Sequence, residues 1–123
     1  YNLILKSDLV LTKAGTSTME CALLGTPYLI FYKTFPLNYY VLKPIVKIDK
    51  LGIVNILLGD DVVKEFIQND FTPENISREA LKLLDDTEYR NKMINNFKKV
   101  SKILGSKDAS SEAAKLIIKT AGL

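Results

Sequence analysis

Short, continuous apolar runs alternate with small and polar residues in the first quarter of the chain. Residues 8–12 form one such run and end in a cluster of turn formers, and residues 27–32 repeat the pattern. Between them, residues 19–24 carry apolar side chains at helical spacing and stop at Gly25, a residue type that commonly ends helices. Strand, helix and strand in such quick succession predict a right-handed βαβ crossover in a parallel sheet.

The middle of the chain gives a weaker pattern. Residues 36–47 predict a helix that begins near Pro36 and is kinked at Pro44. Residues 52–59 form an apolar stretch between two glycines, and its pattern fits a short strand or an apolar loop equally well.

After Asp60 the pattern predicts helices only. Each has a plausible N-terminal cap and an apolar stripe along its interior. The predicted helices span residues 60–69, 73–85, 87–104 and 108–121. We interpret the adjacent carboxylates Asp60 and Asp61 as charges at the start of the first of these helices rather than as metal ligands.

The order of these elements predicts an α/β fold over residues 1–59 followed by a helical C-terminal tail over residues 60–123. The simplest architecture is a partial Rossmann-like parallel sheet within one domain. A parallel sheet of only two or three strands cannot have both of its faces covered without additional elements. We therefore expect further strands upstream of Tyr1. The missing initiator methionine agrees with that expectation and indicates an excised fragment.

The amino-acid composition narrows the range of functions that the chain can have. Hydrophobic residues make up 47% and charged residues 25% of the chain, which excludes a disordered segment. The net charge of +3 is too small for a dedicated nucleic-acid binder. The chain has no histidine, which excludes His-dependent metal sites and Ser–His or Cys–His catalytic pairs. The single cysteine, Cys21, is predicted to lie in the core and indicates a reducing, cytoplasmic compartment.

Small residues separate the first strand from its helix at residues 14–20. Unpaired backbone amides and the positive end of the helix dipole converge at such a point and suit a phosphate group. A structural interpretation competes, because Ser17 and Glu20 have the spacing of a capping box that only satisfies the start of the helix. Spacing alone leaves both interpretations open.

Three blocks of the sequence resemble the C-terminal half of bacterial lipid-A-disaccharide synthases, and their separations agree as well. The resemblance runs from Ser7 to Glu65, and the helical remainder agrees in length and helix pattern. The blocks are Ala14-Gly15-Thr16-Ser17-Thr18-Met19-Glu20-Cys21, Leu24-Gly25-Thr26-Pro27-Tyr28 and Asn55-Ile56-Leu57-Leu58-Gly59.

The resemblance implies the C-terminal half of a GT-B fold, a glycosyltransferase built from two Rossmann-like halves. Members of that family transfer 2,3-diacylglucosamine from UDP to 2,3-diacylglucosamine 1-phosphate with inversion, and release UDP on the path to lipid A. They work without a metal ion or other cofactor. The general base belongs to the N-terminal half, so the resemblance implies no catalytic residue in this chain and an inactive fragment.

The resemblance also implies which residues bind the UDP-linked sugar. Gly15, Thr16 and Ser17 would present amides and hydroxyls to the diphosphate, and Glu20 would accept hydrogen bonds from the ribose hydroxyls. Asn55 would approach the nucleotide from a neighbouring loop.

The segment from Pro36 to Lys50 combines aromatic, aliphatic and lysine side chains. Such a segment can rest on an anionic bilayer, which would suit acylated substrates and a peripheral position on the inner face of the cytoplasmic membrane. The alternative is that its apolar side packs into the protein.

Two other functions fit the same sequence. The chain could belong to another UDP-GlcNAc-dependent GT-B transferase, such as the enzyme that acts on the lipid-linked peptidoglycan precursor. It could instead be a non-catalytic nucleotide-binding or dimerisation module, whose helical tail forms a homodimer.

Overall fold

A parallel sheet of three strands organises the fold. The computed structural model describes residues 1–34, 50–105 and 109–121. Strands β1 (Val10–Lys13), β2 (Tyr28–Tyr32) and β3 (Glu65–Ile67) lie side by side in that order, and both pairings are parallel. The α/β class and the partial Rossmann-like sheet predicted from the sequence are therefore confirmed.

Helices precede, connect and follow these strands along the chain. Within the described residues they are α1 (Asn2–Leu5), α2 (Thr16–Leu24), α3 (Ile53–Leu58), α4 (Pro73–Asp85), α5 (Thr87–Leu104) and α6 (Ala109–Ala121), with one 3₁₀ turn at Gln68–Asp70. None of the helices in these ranges has the length and apolar character needed to cross a membrane.

The predicted βαβ crossover is present at the start of the fold. Helix α2 links the parallel neighbours β1 and β2, and Gly25 ends it in the left-handed conformation with φ 74°. An L side chain is disfavoured at this φ, whereas glycine adopts it freely. Strand β2 lies between the other two strands, which explains why it appears in the sequence as a continuous apolar run rather than an alternating one.

The core lies where α2 and α5 pack together beside the sheet. Helix α5 contributes Met93, Phe97 and Val100, which recur at the i, i+4, i+7 spacing of one helix face and are at most 3% exposed. The Phe97 ring stacks on Tyr28 of β2 with a centroid separation of 5.4 Å. Cys21 is 1% exposed, which confirms its predicted place in the core.

The helices α4 and α5 begin and end at the predicted residues. Thr72 caps α4 by accepting a hydrogen bond from the Asn75 N–H at 3.2 Å. Asp86 caps α5 by accepting one from the Tyr89 N–H at 2.9 Å. Side-chain caps of this kind stabilise a helix by about 1 kcal/mol each, and their sequence signals are local. These two predictions are confirmed.

The prediction of a helix over residues 60–69 is wrong. That stretch contains β3 and the 3₁₀ turn, and β3 pairs with β2 through Ile30 opposite Glu65. Three strand residues are too few to show a period of two, so pairing with a distant strand decides their conformation. Asp60 and Asp61 therefore do not begin a helix: they follow α3, and Asp61 forms a 3.0 Å ion pair with Lys50. The described residues contain no group of three potential metal-ligating side chains.

The apolar stretch at residues 52–59 is neither a strand nor a loop. It forms the short helix α3, which Gly59 ends at φ 68°. Gly52 precedes this helix where the backbone approaches β2 closely, since a Cβ there would lie 2.5 Å from Ile30 Cδ1. Six helical residues make less than two turns, too few for helical periodicity to be recognised in the sequence.

Two predictions fall wholly or partly outside the described residues. The helix expected at residues 36–47 lies outside them, and so does Asp108, the expected start of the last helix. The remainder of that helix is confirmed as α6.

Candidate functional site

The loops that follow the three strands meet at one edge of the sheet. Because parallel strands end at the same edge, Gly15 after β1, Lys33 and Thr34 after β2, and Gln68 after β3 lie along one line. The Ala14 N–H donates to the Phe31 carbonyl at 3.1 Å, which extends the β1–β2 pairing up to the loop. This carboxyl edge is where open α/β sheets bind ligands.

The N-terminus of α2 opens at this edge with unsatisfied donors. Gly15 is the N-cap residue, and no side chain caps the helix. The buried Thr18 fixes the turn, because its N–H and its hydroxyl both donate to the Gly15 carbonyl, at 3.2 and 2.6 Å. The described residues supply no acceptor for the backbone N–H groups of Thr16 and Ser17. These two donors point from the positive end of the helix dipole.

The space beside these donors is open. Gly15 and Thr16 are exposed, and a Cβ built on Gly15 would meet no atom within 4 Å. A rigid pair of unpaired backbone N–H groups next to open space can donate hydrogen bonds to the oxygens of a phosphate group.

The capping-box interpretation of Ser17 and Glu20 is wrong. The helix begins two residues earlier than that motif requires, at Thr16 rather than Thr18, so Ser17 lies inside the first turn. Its hydroxyl forms a 2.7 Å hydrogen bond with the Thr12 hydroxyl of β1 rather than capping the helix. Glu20 lies one turn further on and is half-buried. Burial and, secondly, the charge of Glu20 raise the pKa of the Cys21 thiol, so the thiol stays protonated near neutral pH.

Asn55 has a different place from the one expected for a nucleotide ligand. It lies on α3, is 1% exposed, and its side-chain amide is fully hydrogen-bonded within the protein. Nδ2 donates to the Val63 carbonyl and to Glu65 Oε1, both at 2.8 Å. Oδ1 accepts from the N–H groups of Val62 and Val63 at 3.0 and 2.9 Å. Direct contact with a nucleotide would break these bonds, so the structure makes Asn55 a residue that joins α3 to the start of β3.

Glu65 completes this network and was missed in the sequence, where it fell within the helix predicted over residues 60–69. Its Oε1 accepts from the Gly52 N–H at 2.9 Å, and its Oε2 accepts from the Leu51 N–H at 2.8 Å. The carboxylate thus satisfies the backbone donors at the start of α3. The available signal was a pair of charged residues, Lys64 and Glu65, within the otherwise apolar run Val62-Val63-Lys64-Glu65-Phe66-Ile67.

Two residues of the carboxyl edge itself were also missed. Gln68 bonds the backbone of Thr34 through its side-chain amide. Lys13, the last residue of β1, holds its exposed ammonium 5.9 Å from the centre of the Tyr32 ring. The edge therefore carries a positive charge close to the open start of α2.

Comparison with known proteins gives one consistent result. The family model of lipid-A-disaccharide synthetase matches residues 1–119. The lipid-A-disaccharide synthase of Persephonella marina is 38% identical over 117 residues, which are 95% of this chain and 31% of that protein. That of Geobacter sulfurreducens is 36% identical over 122 residues, 99% of this chain and 32% of that protein. The chain thus spans about a third of the length of these relatives.

The Asn55 network predicts a large loss of stability on truncation. Asn55→Ala leaves the N–H and C=O groups of the buried Val63 and the N–H of the half-buried Val62 without partners, and we expect the free energy of unfolding to fall by about 2–4 kcal/mol. Urea unfolding followed by circular dichroism measures this. Asn95→Ala removes an exposed amide from α5 and is expected to change stability by less than about 0.5 kcal/mol. Equal, small losses for both variants would show that the network does not stabilise the fold.

Proposed function

The chain belongs to the lipid-A-disaccharide synthetase family, and from that premise we propose that it forms the part of a glycosyltransferase that binds the UDP-linked sugar. The complete protein would transfer 2,3-diacylglucosamine from UDP to 2,3-diacylglucosamine 1-phosphate, with inversion and release of UDP. The observation that carries this proposal is the open start of α2, where Thr16 and Ser17 leave two backbone donors without acceptors beside free space.

Charge development in the reaction explains why such donors would help. The UDP leaving group gains negative charge as the glycosidic bond to it breaks. Amides of Thr16 and Ser17 that are already oriented, at the positive end of α2, would stabilise that charge without reorganisation. The turn is held rigid by Thr18, whose two hydrogen bonds to the Gly15 carbonyl keep the donors in place.

Glu20 is proposed to accept hydrogen bonds from the ribose hydroxyls. It follows Thr16 by four residues, so the two side chains lie on the same face of α2, one turn apart. This separation keeps the carboxylate away from the diphosphate, which it would repel, and within reach of the adjoining sugar. Asn55 would act indirectly, by fixing α3 against β3.

The remaining chemistry is assigned outside these residues. We propose that the general base that deprotonates the acceptor belongs to the other half of the GT-B fold, so this chain alone would be inactive. The predicted membrane contact of the segment from Pro36 to Lys50 lies almost entirely outside the described residues and stays a prediction. A cytoplasmic protein peripheral to the membrane remains the proposed location, since its substrates carry acyl chains.

The comparisons support lipid A synthesis over the peptidoglycan-precursor alternative, because the relatives described above carry that name. A dimerising role for the tail remains compatible with it. Three aliphatic side chains in succession on α6 are at least half exposed: Leu116 at 64%, Ile117 at 67% and Ile118 at 50%. We therefore also propose that α6 contributes to a homodimer.

A negative charge introduced on the exposed aliphatic surface of α6 should prevent self-association. Ile117→Glu is expected to shift the chain from dimer to monomer in sedimentation equilibrium, because a carboxylate would be buried without a partner. Asn95→Glu places the same charge on exposed α5 and should leave the dimer intact. A wild-type chain that sediments as a monomer at every concentration would contradict the homodimer.

UDP binding tests the proposed nucleotide site. Adding UDP to the ¹⁵N-labelled chain should shift the backbone amide resonances of residues 14–20. Glu20→Ala should weaken binding about tenfold, the loss expected for hydrogen bonds to a charged acceptor. Gly15→Ala should also weaken UDP binding, because its methyl group occupies the open space, and it should lower the free energy of unfolding by only about 0.5–1 kcal/mol, since alanine is a poorer N-cap than glycine.

The control is Glu112→Ala, which removes an exposed carboxylate of α6 paired with Lys115 and should bind UDP like the wild type. Resonances of residues 14–20 that stay unmoved at saturating UDP would overturn the proposal. Unmoved resonances in a chain that still forms dimers would favour a module whose only role is dimerisation.

A further inference from the structure

The side chain of Gln68 holds the backbone at the exit of β2. Its Oε1 accepts a hydrogen bond from the Thr34 N–H at 2.8 Å, and its Nε2 donates to the Thr34 carbonyl at 3.2 Å. One amide side chain therefore satisfies both backbone groups of Thr34, two residues beyond the end of β2.

This pair of bonds replaces a missing step of the sheet. The Ile30 N–H donates to the Lys64 carbonyl at 3.0 Å, and Tyr32 lies opposite Ile67. Continued regularly, the β2–β3 ladder would next join the Thr34 N–H to the backbone carbonyl of Gln68. That carbonyl instead accepts from the Phe71 N–H at 3.3 Å within the 3₁₀ turn. The side-chain amide of the same residue takes its place.

The backbone of Gln68 is unusual in a way that this arrangement explains. With φ 52°, it is the one non-glycine residue in the left-handed region among the residues that the structure describes. Residues other than glycine, asparagine and aspartate rarely adopt this conformation, and they keep it where surrounding contacts require it. Here the turn directs the chain away from the sheet while the long side chain returns to it.

The anchored residues lie next to the open start of α2. Lys13 of β1 lies opposite Phe31 of β2, and the Ala14 N–H bonds the Phe31 carbonyl. The chain leaving β2 at Lys33 and Thr34 therefore runs beside the Gly15 loop, where the diphosphate is proposed to bind.

We propose that Gln68 is a positioning residue for the nucleoside diphosphate sugar, which it serves by fixing the Lys33 and Thr34 backbone as one wall of the site. The inference rests on the proposed function. It does not require Gln68 to touch the ligand, since its amide is already bonded to Thr34.

Two variants separate positioning from folding. Gln68→Asn keeps an amide and favours the left-handed conformation, but it is one methylene too short to reach Thr34. Gln68→Glu keeps the length but loses the donor to the Thr34 carbonyl. Both should speed hydrogen exchange at the Thr34 N–H and weaken UDP binding by the chain about three- to tenfold. Both variants should remain fully folded at the temperature of the binding assay, which circular dichroism checks, so a merely structural role of Gln68 would leave the UDP affinity unchanged.

The complete protein that carries this chain gives a second readout. There, KM for the UDP-linked sugar should rise by a similar factor while kcat changes less than about twofold, because the wall affects binding of this substrate rather than the chemical step. Asn75→Ala is the matched control: it removes an amide that bonds the Asp70 carbonyl of the same turn without reaching β2, and should leave exchange at Thr34 and UDP binding unchanged.

The outcomes are distinguishable. Unchanged exchange at Thr34, or faster exchange with unchanged UDP affinity while Glu20→Ala still weakens binding, would overturn the role of Gln68 and leave the proposed function standing. Failure of the wild-type chain to bind UDP would overturn both the role of Gln68 and the proposed function, even where the Gln68 variants speed exchange at Thr34 as expected.

Discussion

The parallel pairing of β2 with both of its neighbours is the constraint on which the rest of the structure depends. Tyr28, Leu29 and Ile30 are completely buried between the flanking strands and the helices, so β2 can take only one place in the fold. Once it is fixed there, the chain must leave all three strands at the same edge. The open start of α2, the exit of β2 and the Gln68 turn are neighbours for this reason, although they are distant in sequence.

Polar groups around the sheet fall into two classes, and the difference indicates where a ligand binds. The amide of Asn55 and the carboxylate of Glu65 are fully bonded to the protein and stabilise the fold around α3. The N–H groups of Thr16 and Ser17 have no acceptor among the described residues and face open space. A folded protein rarely leaves rigid donors unsatisfied without a partner such as water or a ligand. That contrast, more than the residue types, separates binding residues from supporting ones.

Sequence alone predicted the features that local signals determine. Thr72 and Asp86 as caps and Gly25 at the end of α2 are such signals, and the helix ends that they mark agree with the structure. Features that depend on distant contacts were missed: β3 is defined by its pairing with β2, and α3 begins where Gly52 meets Ile30. The start of α2 was recognised as a phosphate-binding candidate. The partners of Asn55, Glu65 and Gln68 could not be found, because each depends on which segments the sheet brings together.

The central claim is that the first turn of α2 binds the diphosphate of a uridine nucleotide. A crystal structure of the chain with UDP tests it most directly. We expect diphosphate oxygens within about 2.7–3.2 Å of the backbone nitrogens of Thr16 and Ser17, the range of N–H···O hydrogen bonds, and the ribose hydroxyls beside the Glu20 carboxylate. UDP bound elsewhere on the chain, with both of these nitrogens still free of the nucleotide, would contradict the account.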